Sequence, residues 1–288
     1  MKLKKNKFEF YELDKKPKKN YLLKYYQDIY FQKNKAYYKK KYSKLEIDYI
    51  NSKLKQKFYN ITKILNKKTS CSLLDIGCGK GEFISYFKKK KWKVTGIEKT
   101  SISFNKNINN NIIAGDAIEI LKQLAFEKNK YDLIVMHNVF EHLLEPEKVL
   151  ILIKKILKTN GLLSINIPND ESLLQKYLFK KKIIKKKYWI AYPDHINYFN
   201  INTFANFMKF FKFNVVDTLA DFPIEHFLFN KNTNYIKNKK FGKEAHSSRI
   251  LFEDFLMKNY NLEEINNYYR SISKIGLGRN INYICKMI

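Results

Sequence analysis

The residues able to do chemistry gather in a few short stretches. The densest is Asp75-Ile76-Gly77-Cys78-Gly79-Lys80-Gly81, where three of the chain's nine glycines fall within five residues. Glycine suits positions where the backbone takes positive φ or lies against a ligand with no Cβ between them. The spacing is G-x-G-x-G, not the G-x-G-x-x-G of dinucleotide sites, so a diphosphate cradle is the weaker reading. Glu98 follows seventeen positions past Gly81. It ends an apolar run, where a carboxylate can accept hydrogen bonds from both hydroxyls of a ribose. Asp116 ends the next such run. His137-Asn138, Glu141-His142 and Asp194-His195 supply groups able to exchange a proton near neutral pH. His142 and His195 are the candidate general bases, each alternatively a structural hydrogen-bonding group. His137, Glu141, His142 and Glu145 have the side-chain types of a divalent-metal site. His137 sits at a strand end, where a shared facing direction is not given by the spacing, and no metal centre is expected.

Strands and helices must place these groups. Leu73–Ile76 reads as a buried strand, and Glu82–Lys90 as the helix after the glycine turn. Trp92–Ile97, Ile112–Ala114, Tyr131–Met136 and Leu162–Ile167 read as further strands, with Phe213–Thr218 and Ile281–Met287 near the end. Between them, Ser101–Asn109, Ala117–Phe126 and Glu147–Lys158 read as helices. Pro146 opens the last of these, and Asn160-Gly161 closes it. Asn200 is a cap for a helix over Thr203–Phe211. Strands alternating with helices imply an α/β chain with a doubly wound, mostly parallel sheet. Ligands of such sheets bind beyond the carboxyl ends of the strands. The glycine turn, Glu98, Asp116 and His137–His142 all fall at such ends.

Composition narrows the partners. The formal net charge is +29, yet three arginines stand against 53 lysines. Arginine is the side chain suited to forked phosphate and base contacts, so the charge reads as a bias toward lysine, asparagine and isoleucine. An RNA substrate, tRNA included, is kept as an alternative and is not favoured. The lysine run Lys180–Lys187 reads as a solvated face, or else as a grip on acceptor phosphates. No run of 18 apolar residues suggests a membrane span. Cys71, Cys78 and Cys285 are too scattered for a disulfide framework or a zinc knuckle, which fits a reducing cytoplasm.

The chain divides into an irregular arm and helices over 1–66, a core over 67–221 with a lid at 170–193, a helical elaboration over 222–275, and a last core strand over 276–288. In the first part Leu45, Ile47, Ile50, Leu54, Phe58, Ile61 and Leu65 approximate a helical stripe. The tyrosines between Tyr21 and Tyr42 are candidates to line the site, though packing or surface roles suit most of them.

The glycine turn, Glu98, Asp116, Phe140-Glu141-His142-Leu143 and Pro193-Asp194-His195-x-x-x-Phe199 together resemble class I S-adenosylmethionine (SAM)-dependent methyltransferases. The likeness is to the ubiquinone-O-methyltransferase-like group, methyltransferase type 11 or 23, over about residues 70–220. It implies a seven-stranded Rossmann-like sheet whose last strand enters antiparallel between the fifth and sixth. It implies SAM as cofactor, with Asp75, Gly77, Cys78, Gly79 and Gly81 at the methionine part and Glu98 at the ribose. Asp116 and Ala117 would meet the adenine, and His137 and Asn138 would close the near side. The asparagine-rich segment after Thr100 departs from the family pattern and leaves the adenine wall undefined. The implied reaction is methyl transfer to a small-molecule or glycan acceptor, through a hydroxyl, with a sugar of surface polysaccharide as one such acceptor. A fold that binds SAM without turnover is a further alternative.

Overall fold

Leu73 to Ile76 are fully or almost fully buried, as a strand covered on both faces by helices must be. The structure is a computed structural model that describes residues 2–26, 28, 42–67, 69–99 and 110–288. The expected helix over Ser101–Asn109 and the tyrosines Tyr30, Tyr37 and Tyr38 lie outside the described residues.

The chain begins with two short strands, β1 (Leu3–Lys5) and β2 (Tyr11–Leu13), and a helix, α1 (Lys19–Tyr25). The long helix α2 (Lys44–Leu65) opens on a Ser43–Glu46 capping box and closes on Asn66 in the left-handed region, a common pairing of end signals. Then come β3 (Ser72–Ile76), α3 (Glu82–Lys89), β4 (Lys93–Glu98), β5 (Ile112–Ala114), α4 (Ala117–Phe126) and β6 (Tyr131–His137). After a 3-10 turn over Phe140–His142 follow α5 (Pro146–Ile156), β7 (Leu157–Pro168), α6 (Leu173–Lys180), β8 (Asn197–Tyr198), α7 (Ile201–Phe210) and β9 (Phe213–Ala220). The chain ends with α8 (Phe241–Asn259), α9 (Leu262–Lys274) and β10 (Asn280–Met287).

The main sheet has seven strands in the order β5-β4-β3-β6-β7-β10-β9. All neighbours are parallel except β10, which pairs antiparallel with both β7 and β9. This is the doubly wound α/β sheet expected. Chain order reverses between β3 and β6, the switch point where such sheets bind ligands.

Apolar clusters on the two faces hold the layers. One gathers Leu74, Ile134, Ile153, Leu163, Phe204 and Phe207. The other gathers Leu73, Phe87, Trp92 and Leu133, with Phe58 of α2 edge-on to Phe87 and Trp92. Of the expected α2 stripe, Ile61 is buried while Leu45 and Ile47 are exposed, so the stripe packs only in its second half.

Two local readings are corrected. Residues 1–20 are not an irregular arm: β1 pairs with β2, and β2 with β8, as a small second sheet. Phe10 and Leu13, each 1% exposed, anchor it. Phe10 stacks obliquely on Phe199 at 4.1 Å, and that burial outweighs the solvation of the neighbouring lysines. Asn160-Gly161 is not a helix end but lies within β7. Gly161 is needed for close approach, since a Cβ there would sit 2.8 Å from Leu157 Cδ1.

Candidate active site

The glycine turn links β3 to α3. Gly77, Gly79 and Gly81 all have positive φ, at 74°, 54° and 74°, which other residues adopt at a cost. The N–H groups of Gly77 and Cys78 donate to the Ile97 carbonyl at 2.7 and 3.1 Å, tying the turn to β4. A Cβ on Gly77 would lie 2.4 Å from Val139 Cγ2, so glycine is also fixed by the loop after β6. Cys78 is buried, with its sulfur packed against Gly96.

Two carboxylates stand on this edge. Asp75 and Glu98 are 4% and 7% exposed. Burial pushes the Asp75 carboxyl up to about 7; Glu98 adds to the shift and Lys57 opposes it. Each Glu98 oxygen accepts a backbone N–H at 2.8 Å, Oε2 from Gly79 and Oε1 from Lys99. Asp116 caps α4: its Oδ1 accepts from the N–H groups of Ile118 and Glu119. Its Oδ2 pairs with exposed Lys19 at 3.0 Å. Burial pushes this carboxyl up, but Lys19 and the helix N–H groups outweigh that and hold it below the usual range. Ala117 opens the helix beside it. Two buried carboxylates, one of which raises the other's affinity for protons, suit a ligand carrying positive charge and hydroxyl donors. A sulfonium nucleoside with an α-ammonium is such a ligand.

His137 ends β6, and its ring nitrogens are engaged by α2, β7 and β10. Its Nδ1 lies 3.2 Å from Lys57 Nζ, and its Nε2 3.1 Å from Ser164 Oγ and 3.3 Å from Asn282 Nδ2. The Lys57 ammonium donates to Nδ1, and Nε2 faces the Ser164 hydroxyl and the Asn282 amide. Burial, helped by Lys57, lowers the His137 pKa well below its usual value, so the ring is neutral. Burial likewise lowers Lys57 to about 8. Asn138 takes φ 56°; its N–H donates to the Asn166 carbonyl and its Oδ1 accepts from Asn166 Nδ2.

His142 and His195 meet, although 53 positions apart. Their ring centroids are 5.0 Å apart and T-shaped. His142 Nδ1 donates to the Asp194 carbonyl at 2.7 Å, leaving the Nε2 lone pair 3.7 Å from Glu141 Oε1. His195 Nδ1 lies 3.9 Å from Asp170 Oδ2, and Arg279 holds the other Asp170 oxygen at 2.7 Å. Tyr26 covers this group from the end of α1: its hydroxyl donates to Asp194 Oδ1 at 3.3 Å, and its ring stands edge-on to His142. The 170–193 segment is anchored at its base: buried Glu171 accepts from Trp189 Nε1, and Gln175 donates to buried Glu225. Lys180, Lys181, Lys182, Lys185 and Lys186 are exposed.

The model of the methyltransferase-domain family, type 23, matches residues 46–218. The chain belongs to the class I SAM-dependent methyltransferases. SAM is the cofactor of this methyltransferase domain, and the glycine turn with Asp75 and Glu98 fits it. The ubiquinone-type subgroup is a finer division than the match makes. An uncharacterised protein of Methanocaldococcus jannaschii, MJ0638, is 28% identical over 138 residues, 48% of this chain and 59% of that protein. The match thus spans little more than half the length of that curated relative. Among solved structures, the chain resembles the plantazolicin methyltransferase BpumL. There the identity is 15%, with 92% of this chain and 93% of that one covered and a TM-score of 0.51. It also resembles a SAM-dependent methyltransferase from Archaeoglobus fulgidus, at 18% identity, 93% and 100% coverage and a TM-score of 0.49. The BpumL likeness is one of fold.

Tyr26 is one of the tyrosines offered as lining the site, whereas sequence reasoning missed three residues of the candidate site: Lys57, Asp170 and Arg279. Lys57 had a signal, since with Lys53 it falls one and two turns before Ile61, on the packed face of α2. Asp170 and Arg279 had none, because only the fold brings them together.

Proposed function

We propose that this methyltransferase moves the methyl group of SAM to a hydroxyl of a small-molecule or glycan acceptor. One observation carries the acceptor half of this reading: His142 and His195 converge beside the cofactor edge with their rings 14% and 16% exposed. They are reachable by an acceptor yet shielded from bulk water.

When bound, SAM supplies an electrophilic methyl on a sulfonium. The backbone of Gly77, Cys78, Gly79 and Gly81 would lie under its methionine part, with Asp75 facing the ammonium. Glu98, fixed by two backbone N–H groups, would accept from the ribose hydroxyls. Asp116 spends Oδ1 on its helix cap, so Oδ2 and the neighbouring Ala117 would face the adenine. Lys19 is 61% exposed, and its ion pair is weak enough to yield. Asn138 and the His137 backbone would close the near side, since the His137 ring is engaged elsewhere.

Methyl transfer needs the acceptor oxygen in line with the methyl and water excluded, and much of the rate comes from that alignment. A base within hydrogen-bond reach adds about 10²–10⁴. His142 keeps Nε2 free to accept because Asp194 holds its Nδ1 proton, and His195 has Asp170 behind it. Either ring would take the hydroxyl proton. The test is incubation with methyl-labelled SAM and separate pools of hydroxylated small molecules, glycans and RNA. Label in a small-molecule or glycan fraction is expected. Label in RNA alone would overturn the acceptor class, and SAM binding without label anywhere would overturn the activity.

A further inference from the structure

Around His142 and His195, one cluster holds buried polar atoms that no described residue matches. Glu141 is 2% exposed, and its Oε2 has no hydrogen-bond partner among the described residues. Its ion-pair neighbour among the described residues is His142, itself uncharged unless protonated. A buried carboxylate without a cation is unfavourable by several kcal/mol, about what a lost buried ion-pair partner costs. Two more orphans lie 3.9 Å apart: His195 Nδ1 and Asp170 Oδ2, both buried and without a hydrogen-bond partner among the described residues.

The geometry points to a divalent transition-metal site formed by Glu141, His142 and His195. One donor atom from each lies within 4.8 Å of the other two. An ion about 2.1 Å from each donor needs donors about 3–4 Å apart, so the side chains need to draw in by about 1 Å. Two imidazoles and a carboxylate suit zinc, cobalt, manganese or ferrous iron better than calcium or magnesium.

His142 already has the outer contact a metal site needs, and His195 has a carboxylate 3.9 Å away that the same inward shift would bring into reach. A histidine ligand is normally oriented by a carbonyl or carboxylate on its other ring nitrogen. His142 has this from the Asp194 carbonyl at 2.7 Å, which aims the Nε2 lone pair at Glu141. Asp170 stands behind His195 and is itself held by Arg279. The partly exposed histidine rings leave a path of entry. The sequence-based set is thereby revised: Glu145 pairs with Lys148, and the His137 nitrogens face Lys57, Ser164 and Asn282. His195, remote in sequence, takes their place.

With an ion bound, the two imidazoles are ligands rather than bases, and the metal fixes and acidifies an acceptor oxygen. That use rests on the acceptor lying over His142 and His195; the existence of the site does not. The test strips the full-length chain of metal and titrates it with Zn²⁺ against a chromophoric chelator. One equivalent is expected to bind, at least tenfold more weakly in Glu141→Gln and in His195→Gln. His226→Gln, an exposed histidine outside the cluster, should leave the affinity unchanged. No stoichiometric binding, or binding undiminished in both variants, would overturn the site. X-ray absorption of the zinc-loaded wild-type chain decides should either variant fail to fold. Two imidazoles with oxygen donors uphold the assignment, and fewer than two imidazoles overturn it. Calorimetry with SAM on the same preparations reads the cofactor edge separately, so a failed metal site and a failed methyltransferase reading cannot be confused.

Discussion

The two halves of the carboxyl edge are built in different ways. Around β3, β4 and β5 the candidate cofactor groups come from a tight turn and two strand ends, fixed by backbone. The turn is pinned through the Ile97 carbonyl, and Glu98 is held by two N–H groups. Beyond β6 and β7 the groups come from separate segments and meet through side chains: Tyr26, Glu141, His142, Asp170, His195 and Arg279. The first half can bind one invariant molecule with little adjustment. The second can change its ligand by changing side chains while the sheet stays as it is. On the proposed reading, the cofactor would be held by groups fixed through the backbone and the acceptor by groups that meet through side chains.

Substitutions can break this contrast. The largest effect is expected from Gly77→Ala. The new Cβ meets Val139 in a left-handed backbone, at about 2–4 kcal/mol of stability. Calorimetry should show SAM affinity down by two orders of magnitude, and thermal melting should show the lost stability. Next come His142→Gln and His195→Gln. Turnover should fall by about 10² or more while SAM affinity stays within about twofold. Equal losses of both would erase the division of labour. Glu98→Gln should weaken SAM by about tenfold, the worth of a charge-assisted hydrogen bond, with little change in melting temperature.

One effect on stability carries a sign. Asp75 has its folded pKa raised to about 7, against about 4 when unfolded. The stability this protonation lends is full below pH 4 and is lost as pH rises through 7. Asp75→Asn should therefore stabilise the cofactor-free chain at pH 8 by on the order of 2 kcal/mol and hardly at pH 4, while impairing SAM binding. Equal melting shifts at the two pH values would mean that Asp75 is not a strained buried acid.

The same contrast explains what could be read without coordinates. The glycine turn, Glu98 and the alternating strands were legible because each is a local pattern: an apolar run, a breaker, a cap. Phe10 and Leu13 were hidden among lysines, and their partner β8 is a two-residue strand far along the chain. Gly161 carried the signal of a helix end but serves close packing within β7. Lys57 was one lysine among 53. Asp170, His195 and Arg279 are near only in the fold, where Arg279 on the turn before β10 reaches the start of the 170–193 segment.

The central claim is that the edge formed by the β3 turn, Glu98 and Asp116 holds the cofactor. A crystal structure of the chain with S-adenosylhomocysteine tests it most directly. The account predicts ribose hydroxyls within hydrogen-bond distance of Glu98 and the homocysteine part lying over Gly77–Gly81. A saturated complex with the nucleoside elsewhere, or with Glu98 facing no ligand atom, would contradict it.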